Sequence, residues 1–568
     1  MKLQLDKVVT KLLSNRISRL PQIYFLNVGV TSCCLSMVCL CYLAVFAVIN
    51  FVGFPQFGTP DMYVDTLVGK LMWEQKTLFP YAFVFGNQLY IVATPVLSAL
   101  FYGLNGSPNT AMALATTVMT LLIILSFWWM LRPFLKGKLS FACALLMLLG
   151  CVFGDELVKQ DEGQLFFVMC SYYACYLITL FFVLGDYARS LTEERSRLVP
   201  LSLALLLCFV TGMQSLRQTC IMVLPILAFE FLLCVLRYAS QRRIRFGASS
   251  LRALAYAAFN LAGHFAVGFF DVRQQTIFDK PPEDFLQRVI DVVYACRDVL
   301  GFGWARGEYP FFILLFVFQM SILGLALWFQ IKSLRNASGG LSCLWWLLLI
   351  SLAAVIAAAL FTTLKIRSIY LFTYYPLLAL SMAVVMERLP VRRGWLLAVL
   401  LCIFSLGNLY HSYYDEFCQS FRESEDSAAK VAQWAVENGY ELVYGNFSFA
   451  APNVALYSDG ALTAGSWNDE IMLKALGYLN LQNIYSEEDT KRAIYIFMPW
   501  EQEYAQEAAG SAGATLIRID ETVCGGKDIF TSDVQLMYPR TYPWFDKQWE
   551  MGQFGGKEAE ETEEGTEQ

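Results

Sequence analysis

The sequence predicts an all-α polytopic membrane bundle of about eleven transmembrane helices with a C-terminal extracytoplasmic α/β domain. Three observations predict it. Runs of about 20 apolar residues recur between residues 28 and 412, each long enough to cross a hydrocarbon core. Of the 568 residues, 57% are hydrophobic and only 16% charged, and the mean hydropathy is +0.47. After residue 412 the composition turns polar, and helix-like and strand-like periods alternate.

Residues 1–27 are basic and amphipathic, with Val8, Leu12, Leu13, Ile17 and Leu20 at roughly helical spacing. They read as a helix lying on the cytoplasmic membrane surface. A transmembrane domain over 28–412 follows. Its spans fall near 28–52, 109–131, 138–154, 165–185, 198–215, 218–236, 251–270, 310–330, 341–362, 369–386 and 394–412. With residue 1 inside, the cytoplasmic loops are RPFLKGK, DYARSLTEERSR, RYASQRRIRFGASSLR, IKSLRNASGG and ERLPVRRG. Each is rich in Lys or Arg, as the positive-inside rule requires. Counting the stretch 88–104 as a span would put these loops outside, and it is short and holds Pro95. It therefore reads as a re-entrant or surface helix in the external loop 53–108.

The second external loop is 271–309. Its middle, from about Pro282 to Leu300, has the period of an amphipathic helix with Phe285, Val289, Val292 and Val293 on one face. Residues 413–551 form the α/β domain. SEDSAAKVAQWAVENGY is a helix with Ser424 as N-cap and Gly439 as its stop, and strands follow at ELVYG, RAIYIFMP, ATLIRID and DIFTS. An odd number of spans places this domain outside, where Cys418 and Cys524 are able to pair. Residues 552–568 are an acidic disordered tail.

Two His and no zinc-spaced CxxC pair leave little scope for a His-based metal or catalytic centre. No nucleic-acid partner is expected. The chemistry-bearing residues are carboxylates beside the spans. Asp61 and Asp65 follow span one in GTPDMYVDTLVGKLMWEQKTLFP, and Asp155, Glu156, Asp161 and Glu162 crowd the short loop GDELVKQDEGQ. Charges near hydrocarbon are costly, and this topology gathers all six on the outer face. The plain reading makes Asp61 a helix cap and the second loop solvated. The functional reading makes them general bases or oxygen ligands for a divalent cation, with Asp61, Asp155 and Glu156 as the metal candidates.

Three cations break the positive-inside rule: Arg217 in GMQSLRQTC, and Lys365 and Arg367 in TTLKIRSIYLFTYYPLL. They either snorkel at helix ends or hold a phosphate at the outer surface. Carboxylate and cation together suit sugar transfer from a polyprenyl-phosphate donor to a cell-envelope glycan, lipid or protein. A transporter or flippase would instead carry charges within its spans, where Glu230 is the main example. A non-catalytic envelope assembly or binding protein would explain the end domain but not the acidic loop.

This layout resembles the GT-C superfamily of integral-membrane glycosyltransferases, such as protein O-mannosyltransferases and aminoarabinose transferases. The likeness covers 28–412 by architecture and 60–80 by motif. The family motif is often an Asp-Glu pair followed by aromatic residues. Here Asp61 matches the Asp, Met62 stands where Glu is often found, and Tyr63 follows. The resemblance implies an inverting transferase with Asp61 or Asp65 as its carboxylate, and matches Asp155 and Glu156 to the second acidic loop. Protease added to intact protoplasts is expected to remove residues after about 415; protection of that region would invert the topology.

Overall fold

The computed structural model describes residues 29–53, 55, 58–150, 174–192, 198–241, 247–275, 284–300, 310–333, 339–362, 364–410, 427–448 and 450–467, and further stretches up to 537. Asp155, Glu156, Asp161, Glu162, Ser424, Cys418 and Cys524 lie outside the described residues. So do the amphipathic N-terminus and the acidic tail.

The helices, in chain order, are α1 (Gly29–Val52), α2 (Pro60–Glu74), α3 (Thr94–Asn105), α4 (Pro108–Leu131), α5 (Lys138–Leu149), α6 (Ala174–Thr192) and α7 (Leu198–Gln214). After a short irregular turn come α8 (Leu224–Gln241), α9 (Ala248–Ala266), α10 (Phe285–Val299), α11 (Pro310–Lys332), α12 (Gly340–Phe361), α13 (Tyr374–Arg388) and α14 (Val391–Asn408). Among the described residues seven helices are long and apolar enough to cross a bilayer: α1, α4, α8, α11, α12, α13 and α14, some with their flanking turns. The chain is a multi-pass membrane protein. Helices α5 and α7 are apolar but shorter, and α6 and α9 stand where the two other spans are expected. α6 runs on past the expected end at 185, because Asp186 is neutralised inside the bundle by Arg252 at 2.9 Å.

Helix α13, with the turn before it, is the axis of the bundle: 94% of that span is buried. Tyr374 donates to Gln319 of α11 at 3.3 Å, and the Trp345 indole of α12 donates to Ser381 at 2.8 Å. α1 and α14 are parallel. Trp395 reaches Thr31 near the start of both helices, while Asn408 and the Ser405 carbonyl meet the Tyr42 hydroxyl ten or so residues further on. Parallel first and last spans fit nine crossings between them, as α4–α9 and α11–α13 supply. They do not fit a tenth crossing at 88–104. That stretch is the 12-residue helix α3, too short for a hydrocarbon core of about 30 Å.

In α10 the buried face is Val292, Ala295 and Val299. Phe285 and Val293 are exposed, so the predicted apolar face is turned by about one position in the structure. Asp284 caps this helix by accepting from Leu286 N–H at 3.0 Å.

The C-terminal region holds α15 (Ser427–Glu437), α16 (Ala451–Tyr457) and a five-stranded sheet of order β3-β2-β5-β7-β6. Its strands are β2 (Leu442–Asn446), β3 (Thr463–Trp467), β5 (Ala493–Phe497), β6 (Leu516–Arg518) and β7 (Asp528–Ser532). β3, β2 and β5 run parallel; β7 and β6 are antiparallel additions. Gly439 stops α15 at φ +80°, a conformation that costs glycine nothing. This region is bolted to the first loop. β1 (Phe83–Val84) pairs with β4 (Asn480–Leu481), and Asp459 accepts from Asn109 N–H at the start of α4 at 3.0 Å.

α7 and α9 approach through glycine. A Cβ on Gly212 would sit 1.9 Å from the Asn260 carbonyl oxygen, and one on Gly263 would sit 1.9 Å from that of Phe209. Small residues let membrane helices close to backbone contact, where Asn260 donates to the Cys208 carbonyl at 3.0 Å. Gly263→Ala is expected to force the helices apart and to destabilise the protein by about 1–3 kcal/mol, read as a lower unfolding temperature in detergent.

Candidate functional site

α2 carries the acidic motif. Thr59, not Asp61, is its N-cap: the Thr59 hydroxyl accepts from Met62 N–H at 3.4 Å. Pro60 suits the first position, and Asp61 in the first turn complements the helix dipole. Asp61 is half-buried and Asp65, one turn on and on the same face, is 0% exposed. Every residue from Met62 to Gly69 is buried, because α2 is packed between α3, α4 and α16. Two contacts tie it to the C-terminal region. The Tyr63 hydroxyl accepts from Ala464 N–H at 2.7 Å, and Lys70 donates to the Gly460 carbonyl at 3.0 Å. Burial pushes the Tyr63 hydroxyl well above the usual tyrosine range, the Ala464 N–H acting the other way, so it stays protonated.

Asp65 lies within electrostatic reach of Cys175, near the start of α6. From there a chain of neutral polar contacts leads to the cations. Gln214, the last residue of α7, faces the Cys175 sulfur at 3.9 Å. Its carbonyl accepts from Leu89 N–H at 2.9 Å and its side-chain oxygen from Val92 N–H at 2.9 Å. Tyr176 donates to Gln88 and also hydrogen-bonds Ser215. The loop segment before α3 is thus pinned under the break between α7 and α8.

The break itself presents Arg217. Ser215 caps the short turn Leu216–Gln218 by accepting from Arg217 N–H at 3.2 Å. The guanidinium lies 4.4 Å from the centre of the Tyr370 ring and donates to its hydroxyl at 3.1 Å. Tyr370 belongs to the turn Ser368–Leu371, and its N–H donates back to the Arg367 carbonyl at 3.0 Å. Arg367 and Lys365 are exposed just upstream. α10 lies over this turn, and its Arg288 donates to the Thr362 carbonyl at the end of α12 at 2.9 Å.

The structure therefore brings Arg217 to the segment of Lys365 and Arg367, while Asp65 interacts electrostatically with Cys175. Asp61 shares a face of α2 with Asp65. Among the described residues no group of three or more His, Cys, Asp or Glu stands together as a metal site. Asp155 and Glu156, the other metal candidates, lie outside the described residues. Gln88, Tyr176, Gln214 and Tyr370 are members that charge bias does not reveal.

No family model and no curated protein matches the sequence. Solved structures do match the fold. ArnT from Cupriavidus metallidurans, in its structure bound to undecaprenyl phosphate, aligns with a TM-score of 0.53 at 12% identity, covering 88% of this chain and 99% of that one. The apo structure of the same protein aligns with a TM-score of 0.53 at 13% identity and the same coverage. The chain thus has the ArnT fold over most of its length, as its resemblance to the GT-C layout implies.

Gln214→Ala is expected to leave the Val92 N–H without its partner. The cost is about 1–3 kcal/mol, and hydrogen exchange at Val92 should quicken while that of α13 stays slow.

Proposed function

We propose that this protein is a membrane glycosyltransferase that moves a sugar from a polyprenyl-phosphate-linked donor to an extracytoplasmic cell-envelope acceptor. One observation carries the reading: a guanidinium held on an aromatic ring at a helix break, in a chain whose fold matches that of ArnT, solved bound to undecaprenyl phosphate.

The reaction is a single displacement at the anomeric carbon. The acceptor hydroxyl attacks, the bond to the phosphate oxygen breaks, and the configuration inverts. Asp61, half-buried at the first turn of α2, takes the hydroxyl proton, and Asp65 behind it sets the local field. Arg217 meets the phosphate as it leaves with its extra negative charge, and Tyr370 orients the guanidinium. Arg367 and Lys365 guide the donor headgroup from the surface. At the edge of hydrocarbon a charge pair about 4 Å apart is worth about 4 kcal/mol at an effective dielectric near 20, far more than in water. The polyprenyl chain stays in the bilayer, and the sugar lies in the aqueous layer over α2.

Purified protein in liposomes, given polyprenyl-phosphate sugars and an envelope extract, tests this. Asp61→Asn is expected to lower transfer by about 10²–10⁴-fold without unfolding the protein. Arg217→Gln should weaken donor binding more than Arg217→Lys, which keeps the charge but loses the fork. Full activity in Asp61→Asn would move the base to Asp65; full activity in both Asp61→Asn and Asp65→Asn would remove α2 from the chemistry.

A further inference from the structure

Helix α2 is held from behind. At about 100° per residue, Tyr63 and Lys70 share one face of α2, about 20° apart. Asp61 and Asp65 each lie about 160° round the helix from Tyr63, on either side of the opposite face. The face that is gripped is therefore opposite the face that bears the acids, and both grips come from the C-terminal region.

Tyr63 is held by a strand edge. β3 ends the sheet and pairs with β2. Its Thr463 N–H donates toward β2, to the Glu441 carbonyl at 2.9 Å, so the next N–H along the strand faces the open side. That N–H belongs to Ala464 and donates to the Tyr63 hydroxyl at 2.7 Å. Lys70 is held by a turn that is itself fastened. It donates to the Gly460 carbonyl at 3.0 Å. Gly460 has φ +84°, and a Cβ there would sit 2.7 Å from Pro108 Cγ, so the turn is seated on the start of α4. Asp459, beside it, accepts from the Ser107 hydroxyl and the Asn109 N–H, each at 3.0 Å.

We infer that Tyr63 and Lys70 are positioning residues: they fix the rotation of α2 about its axis and so set the direction in which Asp61 and Asp65 face the substrates. The inference rests on the proposed transfer chemistry. Packing against α3, α4 and α16 confines α2, but apolar contact is non-directional, whereas two hydrogen bonds on one face select one rotation. With side chains a helix is about 5–6 Å in radius, so a turn of about 20° carries a carboxylate through about 2 Å. A misplacement of about 1 Å is enough to cost about 10²-fold in rate. The C-terminal region thereby acts on the chemistry through the rear of α2.

The test uses the full-length protein in liposomes and separates rate from binding. Tyr63→Phe keeps the ring and loses the acceptor; Lys70→Met keeps the stem and loses the donor. Each is expected to lower the transfer kcat about 10-fold, and the two together about 10²-fold, with the donor KM within about twofold of wild type. Lys70→Arg, which keeps a donor for the Gly460 carbonyl, should retain the wild-type kcat. Cryo-electron microscopy of Tyr63→Phe/Lys70→Met should show α2 turned about its axis while β3 and the Gly460 turn stay in place; if that variant does not fold, Tyr63→Phe is imaged instead. A kcat per folded molecule equal to wild type overturns the inference, as does an unturned α2. If the wild type transfers no sugar, it is the proposed function that fails, and the orientation of α2 in the variant alone decides whether Tyr63 and Lys70 hold it.

Discussion

Gln214 is the residue on which the Arg217 end of the bundle depends. A helix that stops near hydrocarbon leaves carbonyls and N–H groups that water does not reach, and each must find a partner. Gln214 meets this need twice, with its backbone carbonyl on Leu89 and its side chain on Val92. The same contacts that seal the end of α7 fix the loop before α3. They also leave Arg217 projecting from a short, capped turn instead of lying along a continuous helix. The glycine contact between α7 and α9 sets where that turn sits.

The site is electrostatically divided. Its carboxylates ride on α2, a helix buried on all sides, while its cations sit at helix breaks where a guanidinium keeps access to the boundary. Between them stand neutral groups: a thiol, two tyrosines and two glutamines. At the other end of the same helices the arrangement is reversed. Glu230 and Asp186 are paired with arginines and hydroxyls, which makes that end a fixed brace.

Much of the fold was legible in the sequence because span length and β-period are local properties. The apolar runs located the helices, and ELVYG, RAIYIFMP, ATLIRID and DIFTS became β2, β5, β6 and β7. The misreadings have physical causes. The face of α10 was turned because apolar spacing does not say which neighbour covers a residue; Phe285 is left at the surface beside Phe361. The sequence ends α6 near 185 because Asp186 looks like a terminus; Arg252, 66 residues on, pairs with it and the helix continues. In the candidate site, Asp61, Asp65, Arg217, Lys365 and Arg367 stood out as charges in unexpected places. Gln88, Tyr176, Gln214 and Tyr370 carry no such mark. Their importance rests on partners distant in sequence, such as Val92 and Gln214, 122 residues apart.

The fastening of Tyr63 to Ala464 joins residues 401 positions apart. At about 5–20 residues per second of synthesis, α2 waits about 20–80 s for β3 to be made. During that interval Asp61 and Asp65 ride on a helix whose cover from the C-terminal region is missing. The cover of α2 is therefore completed only late in synthesis, once β3 has been made.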